Sequence, residues 1–231
     1  MIDFMGAKKG FRRFQLKSMG IIAIFIGPVV LLATMAIHSL PFPQSISETA
    51  TIANKTAPIL PFCLGALVLF ALTYAIVYAY DRMDRVVTAS MFGGFTVVAM
   101  QMCASPYVEV ERVGILGVSP AVSALMHKMG AVVGFGCMIV WVMLCFTKSD
   151  QAKNKRTREK RKRDTCYFWL GMAMVFSLFL FVLDAGGLLG DGFPVVFVAE
   201  CFMLTFGGVA CLLKGGVVLR DVKSSLVCDI G

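Results

Sequence analysis

The chain has 231 residues, of which 58% are hydrophobic and only 16% charged, with a mean hydropathy of +0.80. Ordinary soluble domains are about half apolar and about a quarter charged, and their helices keep a polar face that most of these segments lack. The net charge of +8 sits almost entirely at the flanks of apolar runs, which argues against a nucleic-acid surface and for an all-α, polytopic membrane protein.

In chain order, residues 1–19 form a basic segment with Lys8, Lys9, Arg12, Arg13 and Lys17 interleaved with Phe4, Phe11 and Phe14. Such a pattern suits a cytoplasmic juxtamembrane stretch lying on anionic lipid. The apolar run that follows is too long for a signal-peptide core, and no A-x-A cleavage pattern follows it. Helix one is therefore expected over about 20–39, retained as an anchor. A polar loop over 40–57 opens with Pro41 and Pro43 and contains the sequon Asn54-Lys55-Thr56, which matters only in a eukaryotic secretory membrane. Helix two is expected over about 58–80, a tight turn over 81–85, and helix three over about 86–105. After a loop with Glu109, Glu111 and Arg112, helix four is expected over about 120–146. The strongly basic stretch 148–163 leads into helix five, about 165–185, and a glycine-rich turn returns the chain into helix six, about 194–213. The six-helix transmembrane domain thus spans 20–216, with 217–231 as a tail.

Each run has the length needed to cross about 30 Å of hydrocarbon. With the N-terminus inside, every Lys and Arg except Lys55, Arg112 and Lys128 falls on the inner side, so both termini are expected in the cytoplasm. The basic 148–163 loop is read as a topology determinant and a contact for anionic headgroups, since it lacks the interleaved aromatics of a nucleic-acid surface. The host membrane is expected to be a bacterial inner membrane, with membrane lipids as partners.

Eight cysteines resemble a disulfide framework only by number. Cys137, Cys145, Cys201 and Cys211 lie inside apolar runs and read as small membrane hydrophobes. Cys63 and Cys103, near the outer ends of neighbouring helices, are the one candidate disulfide pair.

Ionisable groups inside membrane helices cost about 2.5–3.5 kcal/mol each on insertion scales, so they usually face protein and mark function. Few occur here: His38 ends helix one, His127 and Lys128 lie in helix four, Asp184 ends helix five, and Glu200 lies in helix six. The topology puts all of them in the outer half, with His127 and Glu200 about 10 Å deep at about 1.5 Å per residue. Glu48, Ser45 and Ser47 in the first outer loop are placed to fold onto the same region. Helical phase sets His127 on a face with Gly130, Ala131 and Gly134, and Glu200 with Met203, Leu204, Gly207 and Cys211. The inner half is expected to hold no comparable set. Three readings stay open: a buried Glu–His pair that fixes helix register, a ligand or catalytic site with Glu200 and His127 as acid and base, and a proton or ion path. No nucleophile elbow, P-loop, zinc or dinucleotide motif is present. With two histidines in the chain, neither a metal nor another cofactor is expected.

Several stretches carry a resemblance. Pro41-Phe42-Pro43-Gln44-Ser45-Ile46-Ser47-Glu48 resembles the "P-x-x-SIS" loop of a group of six-helix membrane proteins. The group comprises bacterial proteins of undefined activity and, distantly, the DRAM and Frag-type proteins. Ser123-Ala124-Leu125-Met126-His127 with Phe146-Thr147-Lys148 is similar to the group's fourth helix and its exit. Lys160-Arg161-Lys162-Arg163 before Cys166-Tyr167 is similar to its basic approach to helix five, and Glu200 with Phe206-Gly207 and Lys214-Gly215 to its last helix. The resemblance implies a six-helix fold and dealings with lipid, and singles out Ser45, Ser47, Glu48, His127 and Glu200. The leading expectation is a protein that binds a lipid or another amphipathic ligand in an outward-facing polar pocket. The alternatives are a lipid-modifying enzyme using Glu200 and His127, a small transporter, or a structural interaction protein.

Overall fold

The computed structural model describes residues 4–38, 46, 65, 68–69, 72–101, 111–112, 114, 116–149, 156–189 and 194–217. All of its regular elements are helical: α1 (Phe4–His38), a π-helical turn (Tyr74–Tyr78), α2 (Arg82–Met100), α3 (Pro120–Val140) continued by a second π-helical turn (Trp141–Cys145), α4 (Arg158–Ala185) and α5 (Val195–Lys214). The stretches Pro120–Cys145, Arg158–Asp184 and Val195–Lys214 have 26, 27 and 20 residues and are long and apolar enough to cross a membrane. Of the expected helix two, only Gly65, Val68, Leu69 and residues 72–80 are described; Cys63 and Cys103 lie outside the described residues.

Two helices start well ahead of the sequence expectation, and α2 both starts and ends about four residues ahead of it. The basic N-terminal segment is not separate from helix one, because α1 runs unbroken from Phe4. Between residues 11 and 19 the chain has strong helix formers and no proline, and Gln15, Leu16 and Met19 are buried while Phe11 and Phe14 remain exposed. That part of α1 packs on the end of α5, where a Cβ added to Gly215 would lie 3.0 Å from Lys17 Cγ. Likewise α4 starts at Arg158, inside the basic stretch, because Thr157 caps it by accepting from Lys160 N at 3.1 Å. Asp164 then ties the first turns together, accepting from Arg156 at 2.9 Å and from Lys160 at 2.5 Å.

Glycines bring the helices together. A Cβ on Gly20 would lie 2.7 Å from Gly208 O, and one on Gly208 would lie 2.7 Å from Gly20 O, so α1 and α5 cross backbone to backbone. Gly94 of α2 meets Gly130 and Gly134 of α3 in the same way, with Phe95 and Phe135 edge to face beside them at 5.2 Å. At the far end of α4, Gly187 adopts φ +73°. It bonds Asp184 O at 2.8 Å while Leu188 N bonds Leu183 O at 3.0 Å, which closes the helix with its last carbonyls satisfied.

The turn into α2 is held from outside. Asp81 caps α2 by accepting from Asp84 N at 2.8 Å and pairs with Lys148 at 2.6 Å. The hydrogen bond from Lys148 holds the Asp81 carboxyl below its ordinary value of 3.8. A lowered carboxyl pKa means that the pair's contribution is present above about pH 3.8 and is lost as the pH falls below it, toward the folded-state value. Because Asp81 is exposed, the contribution is small and salt-sensitive. Asp81→Asn keeps a capping residue, so it is expected to unfold slightly below wild type at neutral pH and together with it in strong acid. Thermal unfolding across that pH range measures the difference.

Candidate functional site

Glu200 and His127 are both buried, and each has its own partner. Glu200 projects from the first half of α5 and is 5% exposed. Its Oε2 accepts the backbone N–H of Ile46 at 2.7 Å in a buried contact. Ile46 is itself buried in the common core, so the first outer loop returns into the bundle at this residue. A carboxylate among apolar helices needs such a donor. Ser45 and Ser47 flank Ile46 in sequence; they and Glu48 lie outside the described residues. His38 is the last residue of α1, and its side chain is not among those described.

His127 lies on the buried face of α3, 2% exposed. Its Nδ1 is 2.7 Å from the carbonyl of Gln101, the residue that ends α2 in an extended conformation. A carbonyl offers only lone pairs, so Nδ1 carries the proton and donates. Gln101 is also buried; its Oε1 accepts from Ser123 Oγ at 3.3 Å, while its Nε2 has no partner among the described residues. Gly114, at φ +72°, brings the α2–α3 loop against Gln101, because a Cβ there would lie 2.8 Å from Met100 O. Glu200 and His127 are thus anchored separately, one to the first outer loop and the other to the end of α2. Asp184 is partly exposed in the last turn of α4.

The expectation of a single polar set, confined to one half of the helices, is corrected by the structure. Asp84, in the tight turn expected over 81–85, is 1% exposed. It accepts from Trp141 Nε1 at 2.8 Å, Tyr80 N at 2.7 Å and Tyr74 Oη at 3.2 Å. Arg12 of α1 donates to the same Tyr74 hydroxyl at 2.7 Å and stands over its ring at 5.3 Å. Trp141 continues the contact through Phe146 at 4.4 Å, and Phe146 through Tyr167 at 5.4 Å. This network joins four stretches of chain at the end of the bundle where α1 begins. The signal available in the sequence was Trp141, one of two tryptophans, since a buried indole N–H needs an acceptor.

Among the described residues no cluster of three or more His, Cys, Asp or Glu side chains suits a metal ion. The thiols of Cys137, Cys145, Cys166, Cys201 and Cys211 are free. Comparison of the chain with protein-family models, with curated proteins and with solved structures returns no match.

Proposed function

We propose that the protein crosses the membrane six times with both termini in the cytoplasm, in a bacterial inner membrane, and binds a lipid or another amphipathic ligand in an outward-facing pocket. The pocket is bounded by Glu200, His127, Asp184 and the 41–48 loop. The buried hydrogen bond from Ile46 N to Glu200 Oε2 at 2.7 Å carries this reading. A backbone N–H from the segment after α1 meets a carboxylate within an apolar helix, which supports a polar recess beside apolar walls. The resemblance of the 41–48 segment and the fourth helix to lipid-associated six-helix proteins supports the same ligand class. Binding is preferred over acid–base catalysis because Glu200 and His127 each hold a separate structural partner.

The test is lipid and metabolite mass spectrometry on the gently purified protein, comparing wild type with Glu200→Gln and His127→Ala. Glutamine can still accept the Ile46 N–H, so Glu200→Gln removes the acid and keeps the loop anchor. A species enriched on wild type and depleted about tenfold or more from Glu200→Gln is expected, the effect of one lost charge-assisted contact. Identical bulk lipid on all three proteins would overturn the proposal.

A further inference from the structure

The opposite end of the bundle holds a second polar site with an excess of positive charge. Lys214, the last residue of α5, donates to the carbonyl of Phe146 at 2.7 Å and lies 5.4 Å from the centre of its ring. Lys160, in the first turn of α4, reaches the same carbonyl at 3.4 Å and that of Thr147 at 3.2 Å. Two ammonium groups sharing one oxygen at these distances stand within about 6 Å of each other. At that separation like charges repel appreciably, more so away from bulk water. The nearby carboxylate Asp164 is already shared between Lys160 and Arg156. Among the described residues Lys214 has no carboxylate within salt-bridge distance; of its charged neighbours Asp84 is negative, while Lys160, Arg12 and Arg163 are positive and outnumber it.

Around the same Phe146 ring is a further buried donor: Tyr167 is 1% exposed and packs against that ring, and its hydroxyl has no hydrogen-bond partner among the described residues. Arg163 and Cys211, the latter one turn before Lys214, are among its electrostatic neighbours. A buried polar group left unmatched in a well-packed site calls for an unseen water or ion. With Lys214 outside salt-bridge distance of any described carboxylate and Arg163 beside Tyr167, the surplus of positive charge favours an anion.

We propose that Lys214, Lys160 and Tyr167 bind a phosphate group, taken either from an anionic lipid headgroup or from free phosphate. A phosphate presents several acceptor oxygens at once, so it can bridge both ammonium groups and take the phenol proton as a hydrogen bond. The site lies where α3, α4 and α5, three described helices long and apolar enough to cross a membrane, all have an end, at the depth of lipid headgroups. It is separate from the Glu200 pocket and does not depend on it.

The full chain in mild non-ionic detergent is titrated with phosphatidic acid, with diacylglycerol of the same acyl chains, and with inorganic phosphate, reading the unfolding midpoint Tm. Ligand that binds the folded state raises Tm with concentration. Phosphatidic acid is expected to raise Tm in wild type, with half-saturation shifted about 10- to 100-fold upward in Lys214→Gln, as for a lost charge-assisted hydrogen bond. Tyr167→Phe, which leaves the packing intact, shifts it in the same direction. Arg112→Gln removes one charge from an exposed position between α2 and α3, at the other end of α3, and leaves the response unchanged. Equal effects of phosphatidic acid and inorganic phosphate, with diacylglycerol inert, assign free phosphate as the source. An effect of phosphatidic acid alone assigns the headgroup. No rise in wild type with either phosphate, or a wild-type response in both Lys214→Gln and Tyr167→Phe, overturns the proposal.

Discussion

Asp84→Ala is expected to destabilise the protein by about 3–5 kcal/mol, the cost of breaking a buried charged network from one side. The carboxylate is the shared acceptor for Trp141 Nε1, Tyr74 Oη and Tyr80 N, at 2.8, 3.2 and 2.7 Å. Alanine would leave a buried indole N–H unpaired and remove the charge that faces Arg12 across Tyr74. It would also open a cavity beside Trp141, which is 1% exposed. Asp84→Asn keeps the volume and one acceptor oxygen, so its cost is expected to be smaller than that of alanine. Trp141→Phe removes the donor together with the need for its acceptor, so paired with Asp84→Asn it should cost less than the two single changes summed. Thermal unfolding in detergent, followed by tryptophan fluorescence and far-ultraviolet circular dichroism, orders these variants. An Asp84→Ala protein that unfolds with wild type would mean that water replaces the carboxylate at no cost.

The contrast between Asp84 and Glu200 shows what the sequence could reveal. Glu200 is conspicuous because it interrupts a long apolar run, where an acid must face protein. Its partner was not legible, since a backbone N–H 154 positions away leaves no mark in composition or spacing. Asp84 stands three residues from Asp81 in a charged turn, where a carboxylate by default faces water. One of the two does: Asp81 caps the helix and meets Lys148, while Asp84 turns inward to Trp141. Helical phase alone does not say which, because the choice is made by aromatic groups supplied from other segments. The starts of α3 at Pro120 and α5 directly after Pro194 were readable, because proline suits a helix start and terminates what precedes it. The starts of α1 and α4 were not, because hydropathy marks where a chain enters lipid and says nothing of whether a basic helix continues beyond it.

The second large effect is expected at Gly94. A Cβ placed there would lie 2.5 Å from Gly134 N and 2.7 Å from Gly130 O, both backbone atoms that cannot move without moving α3. Gly94→Val therefore forces α2 and α3 apart along the contact that Phe95 and Phe135 close at 5.2 Å. A cost of about 3 kcal/mol or more is expected, at the upper end for overpacking, because no side chain can rotate aside. Gly93 is the internal control: nothing lies within 4 Å of its added Cβ, and alanine there gains about 0.5–1 kcal/mol of helix propensity. Opposite shifts of adjacent glycines would tie the effect to the crossing rather than to glycine chemistry. The displacement also reaches the outward site, because α2 ends at Gln101, whose carbonyl holds His127. Under the proposed function, Gly94→Val is thus expected to lose ligand along with stability, whereas Glu200→Gln loses ligand while keeping the fold. If Gly94→Val retains both, the α2–α3 crossing does not position His127, and the outer pocket rests on α5 and the 41–48 loop alone.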